Sequence, residues 1–353
     1  MEKTYYCIGM MSGTSLDGVD LVHARITSGA EYAFEILACK TYAYPEKWLS
    51  KLKDAFSKSA RELQELDRTY GCYLGKLVRQ FRKEFEVSNV DFIASHGHTI
   101  FHQPDKHFTL QIGCGAEIAR TTGCVVIADF RTQDVAMGGQ GAPLVPIGDA
   151  LLFSDYTYCL NLGGFANISF EKNGVRKAFD LCPVNSVLNF YANQIGLDFD
   201  DKGQLAARGK VATPLLDALN SVPFYRFPPP KSLGFEFVAS KILPLMDSFS
   251  LSTEDLLCTF VEHVAFQVSK ELVSLGDSKV LVTGGGAYHA FLMERIQAHT
   301  EVVLVLPSSQ LVEFKEALIF GLLGLLKLED KPNCLQSVTG AFKDHSSGKV
   351  EWP

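Results

Sequence analysis

A short segment near the N-terminus combines the residue types that bind phosphate groups. Ser12-Gly13-Thr14-Ser15-Leu16-Asp17-Gly18 lies between two apolar runs, so we expect it to form the turn of a hairpin. Its glycines let backbone N–H groups converge on one anion, and its hydroxyl groups add further donors. Serine, glycine and aspartate also favour ordinary turns, and the spacing is not that of a Walker P-loop. On this segment alone, a phosphate cradle and a plain turn are both open.

Three carboxylates could act beside such phosphates. Asp17 and Asp20 lie in or next to the turn, where a carboxylate commonly holds Mg²⁺, often through water. Asp180 ends a predicted strand, and a carboxylate there could serve as a general base. It could equally cap the turn that follows, Leu181-Cys182-Pro183-Val184-Asn185, and the residues alone do not separate these roles.

Other candidate residues are weaker signals. Thr283-Gly284-Gly285-Gly286-Ala287 follows an apolar strand and could let a nucleotide approach a helix N-terminus, although glycine runs also end strands. Glu316, at the start of an apolar helix, is either a cleft residue or a partner of the helix dipole. Lys231 follows three prolines and is either a surface residue or a phosphate or substrate contact.

Four histidines lie close together in the sequence: His96, His98, His102 and His107. No cysteine ligand and no H-E-x-x-H pattern accompanies them, so a zinc site is disfavoured. The remaining interpretations are contacts to sugar hydroxyl groups or another role in a catalytic cleft, and ordinary surface positions.

The hydrophobic pattern predicts the strands that position these residues, and the same three-strand arrangement occurs at two places in the sequence. Three strands surround the first glycine turn: Tyr5–Met11, Val19–Ile26 and Ala33–Tyr42. Three more surround Gly163-Gly164: Thr157–Leu162, Ala166–Phe170 and Val175–Asp180. Because the two units are about 150 residues apart, we predict two related α/β domains, each presenting a glycine-bearing hairpin to a common cleft.

The remaining pattern predicts the other elements and the domain boundaries. Two further short strands are Val90–Ser95, ending at the histidine cluster, and Lys279–Thr283. Helices are predicted at Pro45–Glu84, Val187–Ile195, Ala212–Leu219, Ser252–Leu275 and Glu313–Leu328. We expect one domain from 1–136 with a C-terminal segment from about 330 to 353, and another from 137–329. Met137–Pro143 is expected to be the crossover.

Composition narrows the class of protein. The 353 residues are 47% hydrophobic and 21% charged, which is typical of a globular protein, and the net charge of −7 disfavours nucleic-acid binding. The sequence predicts neither a membrane span nor a signal peptide. The nine cysteines include no C-x-x-C pair and are expected to be buried thiols of a cytoplasmic protein rather than a disulfide framework.

Taken together, these motifs resemble the anhydro-N-acetylmuramic acid kinases, a family of the actin-like, hexokinase-like ATPase superfamily. The first motif, Ile8 to Asp20, carries most of the resemblance. Further matching segments are Ser95–Thr99, Gln111–Gly113, Ala128–Arg131, Asp134–Ala136, Gly139–Pro146, Asn161–Ile168, Pro230–Ser232, Gly284–Ala287, Glu316-Ala317 and Val338–Ala341. The resemblance therefore covers nearly the whole chain.

The resemblance implies a reaction as well as a fold of two duplicated ribonuclease-H-like domains with a deep interdomain cleft. Family members use ATP, Mg²⁺ and water to open the bridge of 1,6-anhydro-N-acetylmuramic acid and to phosphorylate O6, in cell-wall recycling. It also implies a homodimer.

The same resemblance implies roles for particular residues. Asp180 would be the base, with Glu316 as a second catalytic residue. The sugar would be positioned by Ser95, His96 and Arg131, and Mg²⁺ would lie at Asp17 and Asp180, held through water. ATP would be held by Gly13, Thr14, Ser15, Leu16, Asp17, Gly18, Val19, Asp20, Gly163, Gly164, Gly284, Gly285 and Gly286.

Two turns depart from the family pattern. Asp180-Leu181-Cys182-Pro183-Val184-Asn185 stands where Asp-Thr-Gly-Pro-Gly-Asn is common, so one hydroxyl and two glycines are absent. Ala287-Tyr288-His289 replaces a more usual Ala-His-Asn. A kinase for another amino sugar and a sugar- or nucleotide-binding pseudo-kinase are therefore the alternative interpretations.

Overall fold

The computed structural model describes residues 2–13, 16–274 and 276–353. The strands are β1 Lys3–Ser12, β2 Val19–Ser28, β3 Tyr32–Tyr42, β4 Phe92–Gln103, β5 Phe108–Ile112, β6 Val125–Ala128, β7 Tyr158–Leu162, β8 Phe165–Lys172, β9 Val175–Pro183, β10 Lys279–Thr283, β11 Val303–Val305 and β12 Lys349–Glu351. The α-helices are α1 Glu46–Lys53, α2 Ala60–Glu84, α3 Gly115–Thr122, α4 Thr132–Ala136, α5 Val145–Leu152, α6 Asn185–Gln194, α7 Thr213–Asn220, α8 Phe235–Phe237, α9 Leu243–Asp247, α10 Thr253–Ser269, α11 Ala290–Ala298, α12 Ser309–Leu328 and α13 Gln336–Thr339.

These elements form two compact units. The first contains Met1–Leu152 and Phe314–Pro353, and the second contains Phe153–Glu313. Met137–Pro143 lies within the first unit, where Gly141 N donates to the carboxylate of Asp134 and Gln140 N donates to the carbonyl of Thr339. The units therefore divide after residue 152 and after residue 313, and the domain boundaries expected from the sequence stay a prediction.

The sheet of the first unit has the strand order β12-β6-β4-β1-β2-β3, with β5 paired to β4. The first three strands form an antiparallel meander, whereas β1, β4 and β6 run parallel. Side chains of β1 alternate between two layers, as strand geometry requires. Ile8 and Met10 pack into the core with α2, while Cys7 and Gly9 face the backbone of α12.

The second sheet repeats this topology, with the order β11-β10-β7-β8-β9. Here β7, β8 and β9 form the antiparallel meander, and β7, β10 and β11 run parallel. Parallel strands need a covered face, and the second core accordingly packs α6, α7, α10 and α11 against the sheet. The duplicated α/β architecture expected of an actin-like or hexokinase-like ATPase fold is confirmed.

Several predicted elements differ from the observed ones. The helix expected from Pro45 to Glu84 is interrupted, because Ser59 and Glu62 form a capping box that begins α2. The prediction that this strand ends at Ser95 is wrong: β4 continues through His96, His98 and His102 to Gln103, and His107 lies beyond its end. Gly97 makes this continuation possible, since its φ is +73° and a Cβ there would lie 2.6 Å from the carbonyl oxygen of Ile112.

The apolar helix at the C-terminal end starts earlier than predicted, at Ser309. Its residues from Phe314 onward belong to the first unit, where Ala317 and Gly321 approach β1 closely. Within the described part of the chain, no helix combines the length and the apolar character needed to cross a bilayer.

Candidate active site

A row of polar side chains crosses the sheet of the second unit. Thr283 pairs with Asn161, Asn161 with Asn167, and Asn167 with Asp180. Because directly paired residues point to the same face of a sheet, all four side chains share one face. The opposite face is apolar and belongs to the core. Sequence motifs identify Asp180, and Thr283 as part of its glycine turn; Asn161 and Asn167 become site candidates through the cross-strand register, which is not visible in sequence.

Asp180 has the properties of a base that works near neutral pH. Its Oδ2 accepts a hydrogen bond from the N–H of Leu233 at 2.7 Å, and no described residue donates to Oδ1. Burial raises the pKa of Asp180 to about 6, against the lowering effect of the Leu233 N–H. The carboxylate is therefore ionised above pH 6 and retains an oxygen that can accept a proton.

The segment Pro230-Lys231-Ser232 runs beside Asp180. The carbonyl oxygen of Lys231 accepts the Asp180 N–H at 3.1 Å. The Lys231 ammonium lies 4.9 Å from the ring centre of Phe224 and 5.9 Å from that of Phe179. Burial lowers the pKa of Lys231. This segment thus fixes the backbone around Asp180, while the lysine side chain packs on aromatic faces.

The unusual turn after Asp180 begins with a β-bulge. The register moves from Asn167–Asp180 to Ala166–Cys182, so Leu181 is the additional residue of β9. Leu181 is 2% exposed and packs in the apolar core. Leucine at this position therefore contributes to packing and does not point toward a phosphate.

The glycine turns of the second unit meet at the N-terminus of α6. The carbonyl of Gly164 accepts the N–H groups of Val184 and Ser186, and the carbonyl of Gly163 accepts that of Asn185. Gly284 has a φ of +82°, and a Cβ there would lie 2.5 Å from Asn161 Oδ1. The predicted residues Gly163, Gly164, Gly284, Gly285 and Gly286 are thus brought together.

The residues after the second glycine turn explain one departure from the family pattern. His289 Nδ1 accepts the N–H of Leu292 at 3.0 Å and so caps α11. Burial lowers the pKa of His289, which keeps the imidazole neutral and able to accept. Tyr288 is exposed, and its hydroxyl donates to Glu313 at 2.8 Å.

In the first unit, Arg131 and His96 form one hydrogen-bonded group. His96 Nδ1 lies 2.9 Å from the carbonyl oxygen of Gly97, and only a protonated Nδ1 can bond there. Nε2 is then the acceptor for Arg131, whose Nε and Nη2 lie 3.0 and 2.9 Å away. Burial, followed by the charge of Arg131, holds the pKa of His96 well below its usual range. His96 is therefore a neutral residue that orients the guanidinium.

Glu316 and Ser95 lie in the same unit as this pair. Burial raises the pKa of Glu316, opposed by the charges of Lys315 and Arg131. Ser95 is 1% exposed, and its hydroxyl accepts the N–H of Gly97 at 3.3 Å. The structure thus brings Arg131 and His96 into contact and places Ser95 next to His96 on β4, while their contacts with a sugar stay predictions.

A buried cluster of hydroxyl groups supports the end of β1, next to the predicted phosphate turn. Ser12 Oγ lies 2.6 Å from Tyr44 Oη, 2.9 Å from Tyr70 Oη and 3.0 Å from His98 Nδ1. Burial lowers the pKa of His98 to about 4, so its ring is neutral in this cluster. The two tyrosines could not be identified from sequence, because only the packing of α2 brings Tyr70 to β1.

The predicted phosphate turn itself is described in part. Thr14 and Ser15 lie outside the described residues. Leu16 N donates to the carbonyl of Gly13 at 3.3 Å. Asp17 is exposed, and Asp20 accepts the hydroxyl of Thr41 at 2.6 Å. Asp17 is in the first unit and Asp180 in the second, so their shared role at Mg²⁺ stays a prediction.

Comparison with solved structures yields low similarity. One aligned structure is component A of the (R)-2-hydroxyglutaryl-CoA dehydratase of Acidaminococcus fermentans. The alignment covers 90% of this chain and 96% of the other chain, with 13% sequence identity and a TM-score of 0.45. Another is a ROK family glucokinase from Streptomyces griseus in complex with glucose and AMPPNP. This alignment covers 90% of this chain and 98% of the glucokinase chain, with 12% sequence identity and a TM-score of 0.39. At these scores the comparison adds nothing to the topology described above.

Comparison with curated sequences is decisive. The chain is 34% identical to the anhydro-N-acetylmuramic acid kinase of Mannheimia succiniciproducens over 99% of both chains. It is 34% identical to that of Pasteurella multocida over 99% of this chain and 97% of the relative. A model of the anhydro-N-acetylmuramic acid kinase family matches residues 5–352. The chain therefore belongs to the anhydro-N-acetylmuramic acid kinase family.

Proposed function

We propose that this protein is an ATP-dependent kinase that hydrolytically opens 1,6-anhydro-N-acetylmuramic acid and phosphorylates O6, giving N-acetylmuramic acid 6-phosphate for peptidoglycan recycling in the cytoplasm. Its family membership supports the reaction class. The observation that carries the proposal is Asp180, a carboxylate whose pKa burial raises to about 6 and whose Oδ1 accepts no hydrogen bond from a described residue.

Asp180 supplies the proton chemistry of this reaction. Water attacks C1 of the anhydrosugar and loses a proton to Oδ1, while the bond from C1 to O6 breaks. The freed O6 keeps the electrons of the C1–O6 bond and attacks the γ-phosphorus of ATP. The bond from the γ-phosphorus to the β,γ-bridging oxygen breaks, and ADP leaves with the electrons of that bond. The Leu233 N–H holds Oδ2, so the carboxylate keeps one orientation as its charge changes. One carboxylate thereby activates the nucleophile of the first bond-breaking step.

Several residues fit a nucleotide and its metal ion. The carbonyls of Gly163 and Gly164 already accept N–H groups of α6, and a side chain at Gly284 would overlap Asn161 and Leu162. Glycine at position 284 therefore lets this turn pack directly against the end of β7. Gly13–Asp20 would hold the phosphates, and Asp17, with Asp180, would hold Mg²⁺ through water. When bound, Mg²⁺ neutralises charge on the phosphoryl group being transferred.

Arg131 is the group best prepared to bind the sugar acid. N-acetylmuramic acid carries a carboxylate, and a guanidinium is the side chain that matches this group in charge and geometry. His96 and the carbonyl of Gly141 fix the Arg131 side chain through Nε, Nη1 and Nη2. Glu316, which interacts with Arg131, would position the sugar as well.

Substrate selectivity tests this proposal against the two alternatives. ADP formation is measured with Mg-ATP and, in parallel, 1,6-anhydro-N-acetylmuramic acid, N-acetylmuramic acid or N-acetylglucosamine. Turnover only with the anhydrosugar is the expected result. Preferred turnover with a reducing sugar would assign a kinase for another amino sugar. Binding of ATP or sugar by calorimetry without turnover of any of them would assign a pseudo-kinase.

Catalysis by Asp180 is tested with a matched pair of variants. Asp180→Asn should lose at least 10³-fold in kcat while the far-ultraviolet circular dichroism is unchanged, because the amide cannot accept the proton. Asp217→Asn, which changes an exposed carboxylate on α7, should keep full activity. Retained turnover in Asp180→Asn would exclude its role as base.

A further inference from the structure

Three potential metal ligands that the kinase reaction does not use meet inside the first unit. Asp134 lies on α4, while Cys334 and His345 face each other in an isolated antiparallel β-bridge. One ligand atom from each lies within 4.8 Å of the other two. The side chains are 0%, 2% and 6% exposed, respectively, so they form a closed cluster rather than a group of surface charges.

The hydrogen bonds of His345 leave one nitrogen aimed into this cluster. Its Nδ1 lies 3.1 Å from the carbonyl oxygen of Lys343, so Nδ1 carries the proton. Nε2 is buried and has no hydrogen-bond partner among the described residues. It lies 3.5 Å from Asp134 Oδ1. Nε2 and the Asp134 carboxylate oxygen therefore face each other in a buried position from which both could ligate one cation.

The surroundings match those of a metal centre. Metal-bound histidines usually donate their other N–H to a carbonyl, and ligating carboxylates usually accept further hydrogen bonds. Asp134 accepts the N–H of Gly141 at 2.7 Å and the hydroxyl of Thr339 at 2.8 Å. Tetrahedral zinc ligands at about 2.0–2.1 Å from the ion are about 3.3–3.4 Å apart. The observed 3.5 Å between His345 Nε2 and Asp134 Oδ1 is close to that spacing.

We propose that Asp134, Cys334 and His345 form a binding site for a borderline divalent cation of the Zn²⁺ type. Binding would release the Cys334 thiol proton to solvent, giving one thiolate and one carboxylate against two positive charges. The resulting neutral site is compatible with the neighbouring Arg131, on which both Asp134 and Cys334 act electrostatically. Three protein ligands leave the fourth tetrahedral position to a water molecule.

The site would connect the C-terminal segment to the part of the chain that holds Arg131. Cys334 and His345 flank α13, and Asp134 lies three residues after Arg131. Bound metal would therefore stabilise the first unit. This inference does not depend on the proposed sugar substrate.

Cobalt provides the direct test, because Co²⁺ reports thiolate ligation by its absorption. The full-length protein is treated with a chelator, desalted and titrated with Co²⁺ under reducing conditions. We expect saturation at one equivalent, with visible d–d bands and a near-ultraviolet thiolate-to-cobalt charge-transfer band that Zn²⁺ abolishes. Absence of a charge-transfer band at stoichiometric Co²⁺ would overturn the proposal.

Variants assign the ligands. Cys334→Ser should lose the charge-transfer band, whereas Cys159→Ser, a buried thiol of β7 in the second unit, should retain it. An unchanged band in folded Cys334→Ser would place the metal elsewhere.

Melting of the wild-type protein provides a readout independent of variant folding. The melting temperature should rise with Zn²⁺ after chelator treatment and not with equal Mg²⁺. No rise with Zn²⁺ would refute the metal site.

Discussion

Replacement of Asp180 by asparagine should stabilise the protein while it abolishes turnover. Burial raises the pKa of Asp180 from 3.8 to about 6. For an acid, this direction means that the folded state binds the proton more tightly than the unfolded state does, so ionisation of the carboxylate destabilises the fold. The destabilisation is fully present above pH 6 and disappears as the pH falls from 6 toward 3.8.

The magnitude follows from these two pKa values. Their difference corresponds to at most about 3 kcal/mol, and because the side chain is partly exposed we expect a gain of about 1–2 kcal/mol. Asparagine keeps an oxygen that can accept the Leu233 N–H, so the backbone contact at 2.7 Å is retained. The free energy of unfolding of Asp180→Asn should therefore exceed that of the wild-type protein at pH 7.5.

The assay compares urea unfolding of Asp180→Asn and the wild-type protein at pH 7.5 and at pH 4.5. The gain should be present at pH 7.5 and much smaller at pH 4.5. Asp217→Asn, which changes an exposed carboxylate, should differ from the wild-type protein by less than about 0.5 kcal/mol at both values. Equal or lower stability of Asp180→Asn at pH 7.5 would refute the reasoning, because the carboxylate would then not be desolvated.

Three further substitutions test the surrounding structure. Tyr70→Phe removes a hydroxyl group that is hydrogen-bonded to Ser12 Oγ at 2.9 Å, and it should lower the free energy of unfolding by about 1–3 kcal/mol, measured by thermal or urea unfolding. An unchanged free energy of unfolding would contradict the buried hydrogen bonds of this cluster. Asn167→Ala, beside Asp180 on the sheet face, should lower kcat at least tenfold with little change in melting temperature; unchanged kcat would exclude the row from catalysis. Leu181→Thr introduces the residue common in the family, and it should lower the free energy of unfolding by about 3 kcal/mol because the leucine side chain lies in the core. An unchanged free energy of unfolding would show that the Leu181 side chain points to solvent.

The sequence predicts the duplicated framework well, because both meanders depend on local signals. Glycine turns between alternating apolar strands placed β1 to β3 and β7 to β9 close to their observed bounds. The strands β5 and β6 and the helix α3 were not predicted. Their short segments are stabilised by pairing and packing with distant parts of the chain, such as the contact of α3 with α2.

The candidate site likewise combines residues that local sequence motifs predict with residues that only the folded chain brings together. Asp180 and the glycine turns carry sequence motifs, whereas Asn161 and Asn167 became site candidates only through strand register. The position of His96 near the sugar stays a prediction, and the structure adds that its ring nitrogens bond to Gly97 and Arg131. Which atoms a histidine can offer is decided by its hydrogen-bond partners, and these come from residues far apart in the chain.

Isotope tracing of the product tests the central claim most directly. The protein is incubated with Mg-ATP and 1,6-anhydro-N-acetylmuramic acid in ¹⁸O-labelled water, and the product is examined by mass spectrometry before the anomeric oxygen can exchange. Hydrolytic phosphorylation predicts a product that gains one phosphoryl group and one water, with the label at C1 and none in the phosphate. A product that gains a phosphoryl group without water, or that carries no label at C1, would contradict the account.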